Sequence, residues 1–409
     1  MNRTTAILLA AALAAVSTPA QKLQISTKRL ERVDHLLDRF VAEKKIAGAV
    51  ALVLRDGVPV YERAVGWADI EAKRKMTTDT IFRIASQSKA ITSAAVLALV
   101  EDGKIGLDQR AGDFIPTFAK TTVALKEGGT EPAKRPITIR HLLTHTAGIS
   151  YGVDAHVRDA YARLGLGPNA GNGWYTADKD EPICVTMDRL GTLPFVSQPG
   201  EAYVYGYNTD ILGCIVEKAS GKSLDEFVRE RITGPLGMKD TRFYIPPAER
   251  DRLAAVYATG PSGAVVRAPE GSKGQGHYVE GPRKSFAGGA GLTSTARDYA
   301  RFLEAIRRDG ELDGARILGT RTARLMKTNQ SGTLHSTNGL GFGLGFQTVD
   351  RYGASGMAGV GAFGWGGAYG TTYQVDPESG LVVVLMIQLM PNGTDIQPKF
   401  SASVYQALE

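Results

Sequence analysis

At 409 residues, with 43% apolar and 22% charged side chains, the chain can bury one large core or two moderate ones and has the balance of a globular enzyme. That balance excludes disorder, collagen-like repeats and a multi-span membrane protein. The net charge of +6 comes from scattered basic residues, with no basic stripe interleaved with aromatics, so no nucleic-acid partner is expected.

In chain order, the first feature is a leader. Arg3 is the only charge before Ala6 to Val16, an unbroken apolar run, and Ser17-Thr18-Pro19-Ala20 supplies small residues for processing. Residues 1–20 therefore read as a secretory signal peptide, which predicts an exported protein, periplasmic or secreted. The run is shorter than the ~20 residues a membrane span needs, and no cysteine near the cleavage region offers a lipid site. No stable membrane anchor is expected after cleavage.

Leu30, Val33, Leu37, Phe40 and Val41 recur at three- and four-residue spacing, which predicts an amphipathic helix over 28–45. The apolar run Ala49 to Leu54, then Asp56-Gly57, then Val58 to Val65 reads as a hairpin. Ser86-Gln87-Ser88-Lys89 opens an apolar helix (Ile91, Ala94, Ala95, Leu97, Ala98) that closes near Asp102-Gly103. Residues from about 100 to 285 hold short helices and long Gly/Pro-rich loops such as Gly165 to Gly173 and Pro261 to Gly276. Thr295 and Asp298 mark the start of a late helix. Thr371 to Val375 and Leu381 to Ile387 flank a turn at 376–380, and a last helix follows from about Pro398. Hairpins and helices at both ends predict an α/β fold of the α+β kind: an antiparallel sheet built from both chain termini and flanked by helices. The sheet domain would take residues 21–100 and 285–409, with a mainly helical, loop-rich domain inserted over 101–284. No internal repeat is present.

Ser86 and Lys89 are three apart, so both can lie on one helical face. A serine at a helix N-terminus has free N–H groups and a dipole that favour a developing oxyanion. Lys89 can be its base only with a neutral amine, which partial burial favours. Two further segments stand out: Pro199 to Gly213, with Tyr203, Tyr205 and Tyr207 alternating, and Phe363-Gly364-Trp365-Gly366-Gly367-Ala368 before the strand at Thr371.

The order S-x-x-K, tyrosine motif, then a three-residue signature beside a strand resembles the serine β-lactamase and penicillin-binding-protein superfamily, with its β-lactamase/transpeptidase-like fold. The closest pattern is that of class C enzymes and, above all, the family VIII carboxylesterases. Ile137 to Gly148 and Gly288 to Asp298 are similar to further family segments, so the resemblance runs from about 30 to 390. Counting from Pro199-Gly200 and back from Leu212-Gly213 selects Tyr205 as the motif tyrosine. The resemblance implies Ser86 as nucleophile, with Lys89 and Tyr205 sharing its proton. It also implies backbone N–H groups of Ser86 and Ala368 as oxyanion donors, and Trp365, Gly366 and Gly367 as substrate-binding residues. No metal or organic cofactor is implied.

Two departures narrow the reading. Lys-Thr-Gly occurs nowhere, and Trp365-Gly366-Gly367 takes its place, as in the family VIII pattern. A tryptophan offers an aromatic face and one N–H but no cation for a substrate carboxylate. The asparagine of a Tyr-x-Asn motif is replaced by Tyr207, with Asn208 next. Both changes favour a small neutral ester with a short acyl chain over a lactam. The rivals are a β-lactamase or D-amino-acid-specific peptidase of the same fold, and a non-catalytic sensor or scaffold.

Three patterns compete for attention. Gly148-Ile149-Ser150-Tyr151-Gly152 matches G-x-S-x-G, but its preceding segment looks helical, whereas a nucleophile elbow needs a strand there. His141 and His145 are four apart, without the glutamate of H-E-x-x-H, so a structural role is expected rather than a zinc site. Cys184 and Cys214 are the only cysteines. Since Cys214 lies in an apolar helical stretch, a buried free thiol is the commoner outcome. Nothing in the sequence sets an oligomeric state.

Overall fold

A computed structural model describes residues 24–168, 179–271 and 276–409; the segment read as a signal peptide lies outside them. Both chain ends contribute to one eight-stranded sheet. The first part supplies β1 (Gly48–Arg55), β2 (Val58–Asp69) and β3 (Arg74–Lys75). The last part supplies β4 (Leu340–Phe342), β5 (Gln347–Val349), β6 (Phe363–Gly366), β7 (Thr372–Asp376) and β8 (Leu381–Met386). The spatial order is β4-β5-β6-β7-β8-β1-β2-β3, antiparallel throughout. The two chain ends meet in the register Val50↔Met386 to Arg55↔Leu381. Asp56 and Gly57 take φ values of 51° and 85° at the β1–β2 turn, as that dipeptide predicts.

The central strands are buried on both faces, and alternation sorts their side chains. Ala49, Ala51 and Val53 of β1, with Leu381, Val383 and Leu385 of β8, pack against α1 (Thr27–Ala42) on one face. Val50, Leu52 and Leu54, with Val382, Val384 and Met386, face α2 (Ser88–Glu101) and the helices that follow it. Ser26 caps α1 by accepting from the Arg29 N–H, and Lys44 at φ 55° ends it.

The middle of the chain holds the short α3 (Ile139–Leu143), α4 (Ile183–Leu190) and α5 (Asn208–Ser220) among irregular segments. α6 (Ala296–Arg307) returns to the sheet, its start capped by Thr295 Oγ1 accepting from the Asp298 N–H at 3.2 Å. α7 (Ile396–Tyr405) lies beside α1. It begins two residues before Pro398, which a helix tolerates in its first turn.

The expectation of a free thiol at Cys214 is corrected. Cys184 of α4 and Cys214 of α5 form a disulfide, with Cα atoms 4.9 Å apart. Cys214 does sit among apolar side chains, but α4 packs on α5 so that its sulfur meets that of Cys184, a tertiary relation that spacing does not encode. Among the described residues, no helix is long and apolar enough to cross a membrane.

Candidate active site

The site forms where α2 begins beneath the β6–β7 turn. Ser86 lies in a single 3-10 turn, Ala85–Gln87, rather than in α2 itself, which starts at Ser88. The cause is Ala85, a non-glycine residue at φ 43°, which kinks the chain just before the serine. Such a conformation costs of order 1 kcal/mol and persists only where the surroundings enforce it. Here Ala85 is fully buried, packed with Val256, Ala268 and Tyr369, with Ala368 against the same cluster.

Lys89, on the first turn of α2, is 2% exposed. Its Nζ lies 3.1 Å from Ser86 Oγ, 3.0 Å from Tyr151 Oη and 2.7 Å from the Gly289 carbonyl oxygen. The Gly288–Gly289 segment is fixed in turn by Asp210 of α5, whose Oδ1 accepts from the Gly289 N–H at 3.2 Å. A Cβ at Gly289 would fall 2.4 Å from Asp210 Oδ2, so only glycine lets this carbonyl approach the lysine.

The three alternating tyrosines separate cleanly. Tyr207 is buried, and its Oη accepts from the Gly167 N–H. Tyr203 turns away among His145, His335 and Phe342, and burial pushes its hydroxyl far above the usual phenol range. Tyr205 turns into the site. The Lys89 amine stands 4.7 Å from its ring centroid, and Trp365 Nε1 donates to its Oη at 3.2 Å. The phenol hydroxyl hydrogen-bonded to Lys89 is thus that of Tyr151, while Tyr205 offers Lys89 its ring face.

Trp365 of β6 reaches the site through a turn that hugs the backbone just before Ser86. A Cβ at Gly367 would lie 2.4 Å from the Ile84 carbonyl oxygen and 2.3 Å from Thr371 Oγ1. This contact holds Ala368 against the cluster that buries Ala85, the residue before Ser86. Trp365 itself is part of an aromatic wall, with ring centroids 5.5 Å from Tyr205, 5.4 Å from Phe342 and 6.4 Å from His335.

The chain matches the family model described as Beta-lactamase over residues 33–404. It therefore belongs to the beta-lactamase family. Esterase EstB of Burkholderia gladioli is 35% identical over 371 residues, covering 87% of this chain and 89% of that protein. Protein Rv1367c of Mycobacterium tuberculosis is 35% identical over 401 residues, covering 89% and 95%. Among solved structures, EstCE1, described as a hydrolase with promiscuous acyltransferase activity, superimposes with a TM-score of 0.77 at 27% identity, covering 93% of this chain and 99% of its own.

Within this beta-lactamase-family fold the decoy motifs find other uses. Ser150 is buried, and its Oγ accepts from the Gly152 N–H at 3.0 Å. The flanking glycines serve packing: both have positive φ, and a Cβ would meet the Ser197 carbonyl oxygen from Gly148 and the Tyr161 ring from Gly152. His141 Nδ1 accepts from the Thr138 N–H as half of a capping box. His145 is fully buried, its Nδ1 3.0 Å from Asn208 Nδ2. Burial, with the Lys89 charge second, holds its imidazole well below the usual histidine value, and so neutral. Among the described residues, no group of His, Cys, Asp or Glu could hold a metal ion. Asn208 is spent on His145 and the Ile149 and Val204 carbonyls, and makes no contact with Ser86 or Lys89.

Sequence reasoning did not single out Tyr151, the Gly289 carbonyl, Asp210 or His145 as parts of the site. Tyr151 carries no periodicity and sits in an irregular segment. The one signal is the pair of glycines around it, which matches G-x-S-x-G in letters but forms a tight loop presenting the side chain between them.

Proposed function

We propose that the protein is a serine hydrolase that cleaves neutral, short-chain carboxylic esters through an acyl-enzyme on Ser86. One observation carries the reading: Ser86 Oγ stands 3.1 Å from a buried lysine amine, beneath a wall whose third motif is Trp365 instead of a cation. The family membership and the name of the Burkholderia relative support it.

In this mechanism Ser86 Oγ attacks the ester carbonyl carbon as its proton passes to Lys89. The carbonyl oxygen becomes an oxyanion between the backbone N–H groups of Ser86 and Ala368, which the Gly367–Ile84 contact keeps close together. As the C–O bond breaks, Tyr205 protonates the leaving alkoxide. The Trp365 N–H and the ammonium near the ring both stabilise the transient phenolate. Water then attacks the acyl group with the same residues acting in reverse. Trp365, Gly366 and Gly367 form the wall against which the substrate lies.

The test compares Ser86→Ala with Ser150→Ala on p-nitrophenyl butyrate. Ser86→Ala should lose several orders of magnitude in turnover, with its melting curve kept, and Ser150→Ala should retain most activity. The opposite pair of results would overturn the assignment. In the unaltered enzyme, kcat/KM for nitrocefin should fall below that for the ester, since a charge-assisted contact to the lactam carboxylate, about 1.5–3 kcal/mol, has no partner at position 365. A ratio above one would favour lactam hydrolysis instead.

The same proposal places the protein outside the cytoplasm, with residues 1–20 removed. A disulfide between α4 and α5 supports an oxidising compartment. Mass spectrometry of protein from the native host should find Gln21 or a near neighbour as the first residue; an intact Met1 would refute this.

A further inference from the structure

Lys89 Nζ has three oxygen neighbours, and only one of them can be the reacting hydroxyl. The Gly289 carbonyl, 2.7 Å away, can only accept, so it takes one N–H in every protonation state. A neutral amine then has one N–H and one lone pair left for Ser86 Oγ and Tyr151 Oη, at 3.1 and 3.0 Å. If the N–H goes to Tyr151, the lone pair faces the Ser86 hydroxyl and can take its proton. If the N–H goes to Ser86, the amine cannot act as its base. After transfer the ammonium has three N–H groups, and the three oxygens match them.

The geometry points to Tyr151 as a positioning residue for Lys89: its hydroxyl directs the amine's lone pair at Ser86 and then completes the hydrogen bonding of the ammonium. This rests on the reading that Ser86 is the nucleophile and Lys89 its base. Tyr151 is suited to the task. It is 7% exposed, held by edge-on contacts to the rings of Tyr205 and Tyr207 at 5.7 and 4.8 Å. It leaves a loop pinned at both ends by glycines that tolerate no Cβ. The bond from an ammonium to a phenol oxygen is stronger than that from a neutral amine, so the contact strengthens as Ser86 attacks and favours the transition state over the ground state.

Other titratable groups face Lys89 from each neighbouring element. Tyr205 lies under it from the loop before α5, neutral His145 stands behind from the loop after α3, and Asp210 of α5 acts through the Gly289 N–H. None of these loses its own contacts when the Tyr151 hydroxyl alone is removed.

The experiment is Tyr151→Phe in the full chain, with kcat, KM and the pH–rate profile measured on p-nitrophenyl butyrate. The proposal expects kcat to fall about ten- to hundredfold, as for losing one hydrogen bond to a charged group, with KM little changed. It also expects the acidic limb to move to lower pH, because an ammonium that has lost an acceptor releases its proton more readily. Tyr207→Phe, which alters the same ring cluster through a hydroxyl bonded to Gly167, should leave that limb in place. Unchanged kcat, or a limb that does not move, overturns the proposal while Ser86→Ala separately reports on the nucleophile. A loss as deep as that of Ser86→Ala also overturns it, since Tyr151 would then be an obligatory proton carrier. If Tyr151→Phe does not fold, 3-fluorotyrosine at 151 replaces it; its weaker acceptor should move the limb in the same direction, and a fixed limb refutes the role.

Discussion

Gly367 shows how a single hydrogen in place of a methyl group sets up the proposed oxyanion site. An alanine would place its Cβ 2.4 Å from the Ile84 carbonyl oxygen, and the turn would have to lift away from Ala85 and Ser86. An oxyanion donor works only within about 0.5 Å of its proper place, and losing one costs about a hundred- to thousandfold in turnover. Gly367→Ala should therefore cut kcat by roughly that factor while KM stays within severalfold, and destabilise the fold by about 1–3 kcal/mol through overpacking. Steady-state kinetics together with a urea melt check both. If turnover survives, the Ala368 N–H is not an oxyanion donor. At this scale the sequence was legible where covalent spacing does the work. Ser86 and Lys89 are one helical turn apart, and the local geometry brings them within reach even though a 3-10 turn intervenes. Tyr151 comes from 62 residues further on, and no local rule couples it to Lys89. The same is true of the Trp365 N–H on Tyr205, where the resemblance implies a substrate-binding residue and the structure adds a hydrogen bond.

Elements were predicted best where a period or a cap declares itself, as in α1, the β1–β2 hairpin and the Thr295 start of α6. Boundaries shifted where a single residue overrides the period: Lys44 ends α1 and Ala85 delays α2. The disulfide between α4 and α5 was not legible, because two cysteines thirty residues apart specify no geometry. Its energetic role can be predicted from that separation. Closing such a loop in the unfolded chain stabilises by about 3.5 kcal/mol in the chain-entropy account, which for a protein of this size is about 4 °C in Tm. The Cys184 sulfur lies against the Cys214 carbonyl and Glu217 of α5, and among the described residues no hydrogen bond links either sulfur to Ser86, Lys89 or Tyr151. Replacing both cysteines with serine should lower Tm by about that amount in a calorimetric scan and leave ester turnover at 25 °C within about twofold. A large loss of turnover with Tm unchanged would mean that the bridge tunes the tyrosine loop rather than the unfolded state.

On the scale of the whole molecule, the sheet gathers the two ends of the chain, and the site joins residues from both ends to residues from the middle. β1 and β8, more than 300 residues apart, share the central register, and the sequence announced this through matching hairpins and helices at both ends. What it could not announce is how closely the ends meet. The Gln24 N–H donates to the Glu409 carbonyl at 2.6 Å and the Glu409 N–H to the Gln24 carbonyl at 2.8 Å, so the described chain is nearly a closed ring. Fold and site should then depend on the order of contacts in space rather than on where the chain starts. The loop at Gly128-Gly129 offers an opening. Both glycines are exposed with positive φ, and nothing lies within 4 Å of the position a Cβ would take at either one. They also lie at the tip of a small ribbon, Thr122–Ala124 with Thr130–Pro132, that contributes no residue to the site. A permutant that joins Glu409 to Gln24 through a short Gly-Ser linker and begins at Gly129 should fold and keep ester turnover within about tenfold, since exposed loop tips tolerate new termini. A second permutant, opened at Gly57 between β1 and β2, breaks the central hairpin and should be far less stable. Circular dichroism melts and p-nitrophenyl butyrate turnover on the pair distinguish the outcomes. If both permutants failed alike, the ends would matter for more than closure, and the 24–409 contact would have to be an early step in folding rather than its last seal.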